Sequence, residues 1–358
     1  VSPVSRGRKT KKKPAPLDAQ LRAGFEEALD AFEDVVASDD PLDVELLTSE
    51  ILGSFWPGEG AVREVGFPLV GYAASRQTPA AFGLLRALAA LSPAAELRDR
   101  AEAAAERLAT LGMREPRWGQ ALREVTVTEC WQQADIFGDD VFLLFLCERD
   151  GREHGLVAET DRFGGVREIY LTVQHDEILA ELYEHDDELL TTERVPLPKA
   201  RRLLEDAIAL NDRFPGEDDL LLDARAYVLA RLDAMPAAAP WPEPKVYDEG
   251  VVAEFLSAEP DADEEFARAF AEFGADIDEI DPLRVSPAKF ELFFDDLFGE
   301  YELDPESVDA LRVTSLAFAG WQGRRDGLPE PAIEHLRRDI EEMLAEFSED
   351  EIPADLPG

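Results

Sequence analysis

The 358-residue sequence has little cysteine, methionine, histidine or lysine: two, three, four and seven residues respectively. Cys130 and Cys147 both fall in strand-like sequence, a pair that suits a reducing cytoplasm better than a disulfide framework. Without a CxxC pair, a thiolate zinc site is not expected. The histidines, His154, His175, His185 and His335, have no tight mutual spacing, and His-Glu-x-x-His is absent. His335 and Asp339, four apart on one predicted helix, read as a solvated pair. A P-loop, a dinucleotide glycine pattern after a strand and a nucleophile-elbow sequence are missing too. No run of about 18 apolar residues occurs; Arg86 breaks the nearest approach, "AFGLLRALAALSP". No apolar segment follows the basic N-terminal stretch, as a secretory signal would require. The expected location is the cytoplasm, with no membrane contact.

Positive charge is scarce as well: 36 Lys and Arg stand against 78 Asp and Glu, a net −42. Yet "RGRKTKKK" places Arg6, Arg8, Lys9, Lys11, Lys12 and Lys13 in residues 1–17 without one acid, a local +6 that leaves −48 elsewhere. Beyond that stretch the cation is almost always arginine, and an Arg- and Ala-rich, Lys-poor composition is what a GC-rich genome encodes. Residues 1–16 are expected to form a disordered basic tail that contacts RNA or other phosphate weakly and without sequence preference. They lack the interleaved aromatics of a base-stacking surface. The acidic body should repel nucleic acid and anionic membrane. Its acidity has three readings: solubility or adaptation to salt, a surface for a cationic protein partner, or mimicry of nucleic acid.

Helical spacing begins with Leu17, Leu21, Phe25, Ala28, Leu29, Phe32 and Val36. Asp40-Pro41, Thr78-Pro79, Ser92-Pro93, Ser286-Pro287 and Asp304-Pro305 each read as an N-cap followed by the first helical residue. Gly112 reads as a helix stop. β-branched and aromatic residues then predict four antiparallel strands at about 124–136, 141–149, 153–160 and 166–173. Asp150-Gly151 marks a tight hairpin, and "VFLLFLC", apolar on both faces, a central strand. Helical spacing resumes over 175–190 and continues to residue 235. Four prolines in 236–245 predict a semi-rigid linker. The expected class is α+β and predominantly helical. It has a helical unit over 17–235 containing a small four-stranded sheet (about 124–173), and an all-helical unit over 246–358.

The sheet carries the candidate chemistry. Asp135, Asp139, Asp140, His154, Glu159 and Asp161 approach one another if the strands pair in order. Carboxylates at one sheet edge can hold a divalent metal through oxygen, and the metal can polarise water for hydrolysis. The wagered ligands are Asp135, Asp139 and Asp161. Alternation puts Glu159 and Asp161 on one face and His154 on the other, so all six cannot act together. Aspartate and glycine are also the ordinary residues of hairpin turns. The aromatic run "KFELFFDDLFGEY" places Phe290, Phe293, Phe294, Leu297 and Phe298 on one face, as a core helix does.

Two stretches, "WGQALREVTVTECWQQADIFGDD…HGLVAETDRFGG" and "LRVSPAKFELFFDDLFGEYELDPESVDALRVTSLAFAGWQGRRDGLPE", resemble an uncharacterised protein family of GC-rich actinobacteria. The resemblance rests on Trp118, Asp135, Phe137, Gly138, Asp139, Asp161, Gly164 and Gly165, then on a Ser-Pro-led aromatic helix and a helix ending near "GRRDGL". It spans about a third of the chain and implies the layout of elements but no activity. Two functions are therefore expected in turn: a non-catalytic interaction protein with an acidic body, or a metal-dependent hydrolase.

Overall fold

The computed structural model describes residues 19–55, 59–184, 187–214, 221–245, 249–278 and 280–350. The basic stretch 1–16 and His185 lie outside the described residues. The chain runs α1 (Ala19–Val35), α2 (Pro41–Gly53), α3 (Glu59–Ala61), a π turn (Val62–Gly66), α4 (Phe67–Arg76), α5 (Pro79–Leu91) and α6 (Ala95–Thr110). A 3-10 turn (Ala121–Arg123) leads into β1 (Thr126–Asp135), β2 (Asp140–Arg149), β3 (Arg152–Asp161) and β4 (Gly165–Thr172). Then follow α7 (His175–Glu184), β5 (Leu190–Val195), α8 (Leu197–Arg213) and α9 (Leu221–Ala234). The last helices are α10 (Glu249–Ala258), α11 (Glu264–Ile277), α12 (Pro287–Glu300), α13 (Pro305–Asp326) and α14 (Glu330–Asp350).

Helix starts follow the local chemistry. The side chains of Asp40, Thr78, Ser286 and Asp304 accept from Leu42 N, Ala81 N, Lys289 N and Ser307 N, and proline follows each. Each cap satisfies an N–H that the first helical turn leaves open. Ser92 differs: its own N–H closes α5 on Leu88 O, and α6 begins after Ala94 with no side-chain cap. Among the described residues no helix is long and apolar enough to cross a membrane.

The predominantly helical α+β class holds, but among the described residues the antiparallel sheet has five strands, not four, in the order β4-β3-β2-β1-β5. β2 is central as its composition predicts, with Leu143, Leu144 and Phe145 all fully buried in succession. Asp150 and Gly151 join β2 to β3 with positive φ values of 52° and 72°, the backbone that a two-residue hairpin requires. The helical reading of 175–190 stops short, because α7 ends at Glu184 and β5 pairs with β1. β5 is an edge strand with exposed Thr191, Glu193 and Arg194, so no apolar alternation marks it in the sequence.

Two compact units result, each with its own core. One contains the described residues up to Val125 together with Leu222–Arg231. It is helical, built on Phe32, Val44, Phe82, Leu88 and Leu97, and Trp118 Nε1 donates to Val36 O at 3.3 Å. The other contains Thr126–Leu221 and the described residues from Leu232 onward. There α7 packs Leu182, Ile178 and Leu179 around Leu144 and Val157 of the sheet. The prolines of 236–245 lie in this second unit, where Ala239 N donates to Pro198 O and Arg202 Nε to Ala239 O. Its C-terminal helices share an aromatic core in which Phe270 and Phe290 stack at 4.5 Å and Phe293, Phe294 and Phe318 are buried. The aromatic face of α12 is thus core.

Candidate functional site

The wagered carboxylates gather at one end of the sheet, and internal donors engage each of them. Asp135 Oδ1 accepts from Phe137 N (2.6 Å) and Gly138 N (2.8 Å), and Oδ2 accepts from Asp140 N. Burial pushes this carboxyl up against those backbone bonds. Asp161 repeats the device: Oδ1 accepts from Phe163 N (2.7 Å) and Gly164 N, while Oδ2 meets Arg167. Arg167 also pairs with Asp140 at 2.7 Å. His154 pairs with Cys147 near the opposite end of β3, seven residues from Asp161. Among the described residues no three His, Cys, Asp or Glu side chains are grouped to hold a metal ion.

Asp139 has a different task. Arg284 Nη1 donates to Asp139 Oδ1 at 2.7 Å and to Phe137 O at 2.7 Å, and Ala288 N donates to Asp139 Oδ2 at 3.1 Å. Arg284 Nε also reaches Asp278 Oδ2 (3.3 Å), whose Oδ1 accepts from Arg162 Nη2 (2.8 Å). Burial pushes the Asp278 carboxyl up, but Arg162, Lys289 and Arg284 outweigh it and hold the group below the usual range. Two hairpin turns of the sheet are thereby tied to the loop between α11 and α12. Sequence inspection missed this latch: Asp139 and Arg284 are 145 residues apart, and no local pattern connects them. His335 and Asp339 form the expected helical pair, partly exposed, at 3.3 Å.

A separate apolar site lies in the first unit. A groove of about 530 Å³ runs between α1, α2 and the start of α4. Leu21, Ala28, Leu47, Ile51 and Val65 line it, half-buried, with Phe25, Phe55 and Leu69 at its base. Gly24 lies on the same wall, and a methyl added there would touch nothing within 4 Å. Glu27 and Glu50 stand in the lining. Along the two walls, α1 carries Glu26, Glu27, Asp30, Glu33 and Asp34 against Arg22 alone, and α2 carries Asp43, Glu45 and Glu50 with no base. Of these, Glu45 is neutralised internally by Arg231, and Glu26 pairs with Arg76 at 3.3 Å. An apolar trough between acidic walls offers area to a nonpolar face and charge to a basic flank.

No family model, no curated protein and no solved structure matches the chain.

Proposed function

We propose that the protein is a cytoplasmic, non-catalytic interaction protein whose first unit takes a cationic amphipathic helix from a partner protein. The observation that carries this reading is the pairing of a half-buried apolar trough with two predominantly acidic helices. A helix laid in a groove gains from apolar anchors at i, i+3, i+4 and i+7, while its flanking Lys or Arg residues meet the acidic walls. Gly24 and Ala28 leave room for close backbone approach. The basic residues Arg6 to Lys13 supply charge but no apolar face, so they do not suit the trough as its main occupant. Their proposed role remains weak contact with phosphate or RNA.

The test is fluorescence anisotropy with a labelled Leu/Lys amphipathic helix of about 18 residues, long enough to hold its shape. A peptide of identical charge with scrambled apolar positions serves as the control. Saturable binding of the first, lost in Ala28→Trp at unchanged melting temperature, supports the trough. Equal binding of both peptides, or an unaffected Ala28→Trp, reduces the interaction to charge alone and sinks the reading.

A further inference from the structure

We infer that the second unit holds a binding site for a small zwitterion of the amino-acid class, in a cavity between Lys245, the loop after α11 and the C-terminal half of α13. The cavity is about 240 Å³, below the roughly 300–1,000 Å³ of pockets for drug-sized ligands. Two acceptors of its lining residues are buried without a partner, Asp281 Oδ1 and Gln322 Oε1. Their neighbours fix both. Gln322 is 95% buried (5% exposed), and its Nε2 donates to Asp326 Oδ1 at 3.0 Å, which leaves the amide oxygen as the free end. Asp281 Oδ2 is held by Lys245, and Asp281 N donates to Asp278 Oδ1. A buried acceptor left unmatched is costly, so a ligand that brings N–H donors recovers that cost.

The same lining offers donors. Lys245 Nζ bonds Asp281, lies 3.7 Å from Asp326, and its side chain is 62% exposed. Arg325 uses Nη1 on Glu254 and lies over the Trp321 ring at 4.5 Å. Its planar fork has further N–H groups to offer a carboxylate. The lining thus balances two cations, Lys245 and Arg325, against two carboxylates, Asp281 and Asp326. That balance is unusual in a chain of net charge −42 and selects a ligand carrying both signs a short distance apart. An ammonium seats at Asp281 Oδ1 and Gln322 Oε1, and a carboxylate at Lys245 and Arg325. Val251 and Leu283 supply apolar surface for an aliphatic side chain.

The experiment is isothermal titration of the full chain at fixed ionic strength with L-leucine, 3-methylbutylamine and 4-methylpentanoate. The two analogues keep leucine's side chain and lack its carboxylate or its ammonium. Saturable 1:1 binding of leucine is expected, with each analogue tenfold or more weaker. Gln322→Leu removes one acceptor without changing charge and should weaken leucine by about tenfold. Arg325→Gln, at a partly exposed position, tests the carboxylate end if the first variant is unstable. Absence of saturable leucine binding overturns the inference. So does an amine that binds as well as leucine in wild type and Gln322→Leu alike, since that is counter-ion association with an acidic surface.

Discussion

Arg231 on α9 donates through Nη1 and Nη2 to the two carboxylate oxygens of Glu45 on α2, both at 2.8 Å, and neither residue has exposed surface. The pair joins positions 186 residues apart and fastens the returning segment Leu222–Arg231 into the first unit. Desolvating both charges costs about what their attraction returns, so the pair fixes position more than it adds stability. Removing one partner is another matter. Arg231→Met takes the bidentate guanidinium away from a buried carboxylate and should cost about 3–5 kcal/mol in urea unfolding. Glu45→Leu combined with Arg231→Met should recover most of that loss. A single variant that costs under about 1 kcal/mol would show the pair to be incidental.

The same return brings backbone to backbone at Gly53. A methyl at this position would lie 2.5 Å from Leu222 O and 2.6 Å from Asp223 Oδ1. Neither α2 nor α9 can yield without disturbing the Glu45 contact, so Gly53→Ala should destabilise by about 1–3 kcal/mol. Gly24→Ala is the control: it sits in open space on α1, where a helix gains up to about 1 kcal/mol from the same change. Thermal melts of the two variants should move in opposite directions.

Much of this architecture is legible in the sequence, because caps, turns and apolar periodicity act over a few residues. Asp40, Thr78, Ser286 and Asp304 cap the helices that their Pro neighbours announce, and Asp150-Gly151 makes its hairpin. What stays hidden is long-range or unpatterned. β5 has no apolar alternation, since only Val195 of it is buried and Thr191, Glu193 and Arg194 are exposed. Asp139 looks like its turn neighbours Asp135 and Asp161 but answers to Arg284, and Glu45 looks like any acid of an acidic helix. The four prolines after Met235 signal local stiffness without saying which helices they join. The trough and the zwitterion cavity arise from packing between helices, which no single segment encodes.

The turn carboxylates give a sharper test of chemistry. In Asp161→Asn the remaining carbonyl oxygen can still accept from Phe163 and Gly164, and only the exposed pairing with Arg167 is lost. The expected cost is under about 1 kcal/mol, while Asp161→Ala, which loses the turn bonds as well, costs about 1–2 kcal/mol. Mg²⁺ or Mn²⁺ should shift the melting temperature equally in wild type and in Asp135→Asn/Asp161→Asn, by general association with an acidic surface. A shift confined to wild type would instead restore the metal-dependent hydrolase reading.

Lys289 gives the clearest pH signature. It is fully buried, donating to Pro282 O at 2.6 Å and Asp281 O at 3.3 Å, with Asp278 Oδ2 at 4.0 Å. Burial lowers its pKa from 10.5 to about 8; Asp278 opposes the shift and Arg284 adds to it. Below pH 8 the ammonium is charged in both folded and unfolded chains, so it contributes no slope. Between about 8 and 10.5 the folded state has released a proton that the unfolded state still holds, so stability rises with pH across that window. The full gain is about 3 kcal/mol. Cys130, whose thiol burial pushes up, acts in the opposite sense above pH 9. Comparison with Lys289→Met cancels that contribution. The stability difference between wild type and Lys289→Met, measured by urea unfolding from pH 7.5 to 10, should therefore move in favour of wild type as pH rises. A difference that stays flat would mean that Asp278 keeps the ammonium charged throughout, and that the latch holds a permanent ion pair in place of a titrating one.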